Sequence, residues 1–148
     1  MGIKLDINKE WKDSNLPVAN GIVFADGTLV RIYVLLDGDK RKLERGESFD
    51  LNELLEQKEI DVVEVVVSKK VDDSKNDIVV YCGMGFMGGD GFILVESRND
   101  SLIKWFAFFE DSNPFKKLEI VRDKIIAYNN LDEKWVFDIY NPTNVSIE

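Results

Sequence analysis

The chain reads as an α+β protein, mainly β: an antiparallel β-meander sheet of about 8–10 strands, either curled or two-layered, with one short helix near residues 50–58. Three observations predict this. Short apolar runs recur along the chain and are separated by clusters of Asn, Asp, Gly and Pro. The separators are too short for the crossover that a parallel pair needs, so neighbouring strands must run antiparallel. One stretch only combines a helix cap with apolar residues at helical spacing.

The elements follow in order. Residues 22–24 and 28–36 flank Ala25-Asp26-Gly27, where the Asp-Gly pair supplies the backbone freedom of a tight hairpin. In the second of these strands Val30, Ile32, Val34 and Leu36 share one face, opposite Leu29, Arg31, Tyr33 and Leu35. Residues 37–42 then turn polar and read as a loop or hairpin tip. Its cations Lys40, Arg41 and Lys42, with Arg45, are interleaved with Asp37, Asp39, Glu44 and Glu47 and read as a solvated loop.

Asp50 followed by Glu53 has capping spacing, and Leu51, Leu54 and Leu55 form an apolar stripe, which predicts a helix of two to three turns. Residues 60–67 are dense in Val, whose β-branching suits a pleated sheet. Residues 69–77 read either as a linker or as a long hairpin loop. Strands are then expected at 78–82, 91–96, 102–109, 117–121, 125–128, 134–139 and 145–147. Residues 102–109 are apolar on both faces apart from Lys104, so that strand is placed centrally, covered on both sides.

Composition bounds function. The 148 residues suit one domain, with 45% hydrophobic residues, nine Phe, three Trp and four Tyr to build its core. No apolar run approaches the length of a membrane span, and the opening residues lack a secretory h-region. Gly2 invites a myristoylation reading that Asp6 spoils. With one cysteine and no leader, a cytoplasmic location is expected.

The chain has no histidine. That removes Ser-His and Cys-His nucleophilic centres and the usual zinc ligand sets, and Cys82 is expected to be a small buried hydrophobe. Gly83-Met84-Gly85-Phe86-Met87-Gly88 matches the GxGxxG string. The dinucleotide fingerprint needs a helix at its third glycine, and here another strand follows, so a glycine-rich turn or bulge is expected. Gly88-Gly89-Asp90-Gly91 and Asp37-Gly38-Asp39 each begin like a calcium loop and then lack its ligands. No catalytic, cofactor or metal site is therefore assigned.

The formal net charge is -9, which disfavours direct nucleic-acid binding. Residues 1–47 balance to zero, whereas residues 48–77 carry nine acids against four lysines. A concentrated negative field of that kind steers a basic partner. The expected partner-binding residues are Asp50, Glu53, Glu56, Glu59, Asp61 and Glu64. Met84, Phe86 and Met87 join them as an adaptable contact surface if exposed, or as core if buried. Oligomeric state is left open.

The C-terminal stretches 91–96 and 102–109, Asn113-Pro114-Phe115 and residues 134–139 resemble small bacterial immunity proteins, which protect a cell from its own secreted polymorphic toxin. The resemblance implies an acidic cytoplasmic inhibitor that blocks a cognate toxin with a basic surface, often a nuclease. It implies no particular residues. Beside it stand a structural β-module that self-associates through sheet edges, and a carbohydrate-binding or carboxylate-based enzyme, which would need a groove lined by Trp11, Trp105 or Trp135. Trp105 and Trp135 are expected in the core.

Overall fold

The computed structural model describes residues 5–148; the signal and myristoylation readings at residues 1–4 lie outside them. Two short helices and twelve strands follow one another as α1 (Ile7–Lys12), β1 (Asn15–Pro17), β2 (Gly21–Phe24), β3 (Thr28–Asp37), β4 (Lys40–Asp50), α2 (Leu51–Glu56), β5 (Val62–Asp73), β6 (Ile78–Gly85), β7 (Gly91–Ser97), β8 (Ile103–Phe109), β9 (Phe115–Val121), β10 (Lys124–Asn129), β11 (Lys134–Asp138) and β12 (Val145–Ile147). The strands form an eight-stranded sheet in the order β1-β5-β6-β7-β8-β2-β3-β4 and a four-stranded sheet in the order β12-β11-β10-β9. Every pairing is antiparallel.

The expected mainly-β antiparallel fold with a short helix near 50–58 is therefore present, with its meander broken into pieces. The larger sheet joins the run β5 to β8 to the run β2 to β4 through the β8–β2 pairing. After β8 the chain leaves this sheet and starts a second meander, β9 to β12. The larger sheet curls around the smaller one into a half-barrel, bringing β4 against β12 and β5 against β9.

Period-2 alternation sorts side chains to the two faces. Ile93 and Val95 of β7, with Trp105, Ala107 and Phe109 of β8, face the smaller sheet and meet its Phe115, Ile125, Trp135 and Phe137. Phe92 and Leu94, with Phe106 and Phe108, face the opposite way, under α1, α2 and the segment around β1. The double-sided apolar pattern of residues 102–109 thus has its expected cause: β8 lies between β7 and β2 and is covered on both faces. Trp105 and Trp135 are core, and Trp105 Nε1 donates to Ile139 O at 2.9 Å.

Four readings need correction. Helix α1 was not anticipated: its amphipathic run is only six residues long, and its start is set by Asp6, whose carboxylate accepts from Asn8 N and Lys9 N. Strand β1, three residues long, was also missed and is recognisable only by its pairing with β5. The polar residues 69–73 are no linker but the second half of β5, held in register down to Asp73 opposite Ile78.

The fourth concerns the cations of residues 40–45. Only Gly38 and Asp39 form the hairpin tip; Lys40, Arg41, Lys42 and Arg45 lie in strand β4. Arg41 is not solvated: its side chain is 17% exposed and clamps Glu133 in the β10–β11 connection of the smaller sheet. Its Nε donates to Glu133 Oε2 at 3.0 Å, and its Nη atoms donate to the carbonyls of Asp111 and Ser112. The hydrogen bond from Arg41 holds the Glu133 carboxyl below its ordinary range and raises Arg41 in turn. Sequence alternation of charges around Arg41 hid this, because its partner lies 92 positions away.

Among the described residues no helix is long and apolar enough to cross a membrane.

Candidate functional site

The acidic segment is surface throughout: Asp50, Glu53, Glu56, Glu59, Asp61 and Glu64 are all exposed. Asp50 is the N-cap of α2, its Oδ1 accepting from Asn52 N at 3.0 Å, so it does structural duty as well. Among the described residues none of the six forms an ion pair. Burying Leu51 and Leu54 against the sheet turns Glu53 and Glu56 outward, as the helical period requires.

The glycine-rich segment divides. Gly83 and Gly85 belong to β6, and both are glycine for close approach: an added Cβ would lie 1.9 Å from Val66 O at the first and 2.4 Å from Asp90 Oδ2 at the second. No helix follows; Gly88, at φ +91°, makes the turn into β7. Met84 is half-buried in β6, whereas Phe86 and Met87 at the turn are 66% and 54% exposed. Cys82, by contrast, is fully buried between the sheets, and burial pushes its thiol up to about 12, which makes it a poor nucleophile.

Two cavities connect these features. The first, of about 340 Å³, is lined by Glu59, Asp61 and Met87, with Asn20, Arg31 and Glu110. The structure therefore joins one end of the acidic segment to the methionine loop, while Asp50, Glu53, Glu56, Glu64, Met84 and Phe86 lie outside this cavity. The second, of about 230 Å³, shares Asn20, Arg31 and Glu110 and continues along residues 31–35 of β3 to Asp111.

Asn20, Arg31 and Glu110 were not among the expected residues. Asn20 and Glu110 are locked together, Nδ2 donating to Glu110 Oε1 at 2.8 Å and the Glu110 N–H donating to Asn20 Oδ1 at 2.9 Å. Arg31 lies over the Phe49 ring at 5.3 Å. Its Nε is shielded from solvent without a hydrogen-bond partner, and among the described residues no carboxylate pairs with it. The one available signal was Arg31 on an otherwise apolar strand face; Asn20 and Glu110 gave none, being 90 positions apart.

Elsewhere, on the smaller sheet, Lys116, Lys117 and Tyr128 line two adjoining cavities, with Asp132 in one and Glu119 in the other. Neither cavity is lined by tryptophan. Comparison with protein-family models, with curated proteins and with solved structures finds no match to this chain.

Proposed function

We propose that this protein is a non-catalytic, protein-binding inhibitor that holds a basic protein partner on its acidic face, in the manner of the immunity proteins that residues 91–139 resemble, with a secreted toxin as the partner. The observation that carries this reading is the juxtaposition of unpaired, exposed carboxylates at Glu59 and Asp61 with the exposed Met87 across one cavity. Carboxylates supply long-range attraction and orientation, while a thioether and the neighbouring Phe86 ring supply adaptable apolar contact. Interfaces bind through such a mixture: an apolar anchor that is desolvated, ringed by charges that choose the partner.

The test is capture of a partner from the native cytoplasm on immobilised protein, followed by elution with salt. Reversing Glu53, Glu56 and Glu59 to Lys is expected to slow association and lower affinity at low ionic strength, with the difference shrinking as salt rises. Capture of no protein, or capture indifferent to the reversals, rejects the reading.

A further inference from the structure

Strand β3 outruns its neighbour. It extends from Thr28 to Asp37, but β2 begins only at Gly21, opposite Arg31. The Ile32 N–H donates to Asn20 O at 3.1 Å, which directs the even-numbered backbone groups of β3 toward β2. The other end agrees: Asp37 pairs with Lys40 across a two-residue turn, placing the odd-numbered groups on the β4 side. The N–H and C=O of Val34 and Leu36 therefore point to the β2 side, where no described strand reaches them. Val34 borders the second cavity, walled on its far side by Glu110 and Asp111, and Leu36 follows it along the same edge just beyond the lining.

Both walls are pinned. The Asn20–Glu110 pair fixes one end, and Arg41 holds the carbonyls of Asp111 and Ser112 at the other. A slot bordered by open strand edge and kept apart by hydrogen bonds is preorganised for one more strand. Its lining is apolar at Tyr33, 41% exposed, with Leu36, 78% exposed, next along the strand, and acidic at Glu110 and Asp111, with Glu59 and Asp61 in the adjoining cavity. Arg31 stands between the cavities with donors to spare for a backbone carbonyl.

We propose that this slot takes an extended, basic segment of the protein partner as an added strand along Val34 and Leu36, with Arg31 donating to a carbonyl of that segment. This deepens the reading of an acidic docking surface and rests on it. The outer edge of β5 is the poorer acceptor, since a bulge between Val67 and Lys69, together with Lys69 and Lys70, blunts it.

An alternating Lys-Val peptide of about ten residues, a good strand former, serves as the probe, with its Glu-Val counterpart as control. Hydrogen exchange on the whole protein is expected to show the Val34 and Leu36 amides slowing about tenfold or more with the Lys-Val peptide and not with the control. Leu36→Pro, which removes an N–H that β4 does not use, is expected to weaken binding about three- to tenfold. No binding of the Lys-Val peptide, binding without protection of these two amides, or binding unchanged in Leu36→Pro and Val34→Pro overturns the proposal. Protection that rises with protein concentration alone would assign the slot to a second copy and overturn it equally. Partner capture that survives Leu36→Pro but not the Glu53, Glu56 and Glu59 reversals leaves the docking surface standing without the slot; the opposite pattern keeps the slot and discards the acidic segment.

Discussion

The two faces of the eight-stranded sheet are built from the same strands and closed by different means. One is sealed by a second sheet, with Trp135 fully buried among Phe109, Phe115 and Phe137 at centroid distances of 5.2, 5.3 and 6.5 Å. The other is closed by two six-residue helices and the segment that follows β1. Helices that short have little stability of their own and stand only because Ile7, Leu51 and Leu54 dock on the sheet. The inter-sheet face centres on Trp135, and the helix-covered face carries the acidic residues at its surface, where a substitution leaves both cores untouched.

The largest effect on stability is expected at Trp135. Trp135→Ala is expected to cost about 3–5 kcal/mol by denaturant titration, because the cavity opens among packed rings of β8, β9 and β11 that both sheets hold in place. A loss below about 1 kcal/mol would show that the inter-sheet core is not the seat of stability.

The clamp between the sheets comes next. Arg41→Ala leaves the half-buried Glu133 carboxylate without its cation, held only by Asn129 and Trp135, and removes a donor from the Asp111 and Ser112 carbonyls; it is expected to cost about 2 kcal/mol. Because Glu133 titrates lower folded than its ordinary 4.5, its contribution is complete above that pH and is lost as pH falls through the depressed folded value. Melting temperature measured against pH should therefore drop on the acid side in the native protein, and Glu133→Gln should flatten that limb.

On the opposite face the effects shrink. Asp50→Ala removes the cap of α2 and is expected to cost about 1 kcal/mol, with hydrogen exchange accelerating in α2 before the sheets respond. Glu53→Lys, Glu56→Lys and Glu59→Lys are each expected to shift stability by less than about 0.5 kcal/mol, while partner capture changes. Sharpening the comparison thus means finding stability and binding moved by separate substitutions on separate faces.

Legibility in the sequence followed the range of the interactions. Strands at 78–82, 91–96 and 102–109 were readable because alternation and turn chemistry are local, and the α2 start was readable because Asp50 caps within three residues. Residues 69–73 and 40–45 misled because they are polar strands whose order comes from pairing with β6 and β3, and because the partner of Arg41 is far away in sequence. The same limit applied to the site. Exposure of Glu59, Asp61 and Met87 could be guessed from charge and glycine content, but Asn20, Arg31 and Glu110 are brought together only by the β2–β3 and β2–β8 pairings.

By itself the sequence determined the mainly-β class, the acidic address at residues 48–77, the absence of histidine chemistry and the double burial of β8, since each rests on composition or short-range pattern. The tertiary structure alone decided that the strands divide into two sheets, that Arg41 ties them together, and that β3 overhangs β2 beside a pinned slot. Those features arise from strand lengths and partners set against one another across the fold, and no local pattern encodes where one strand stops relative to another.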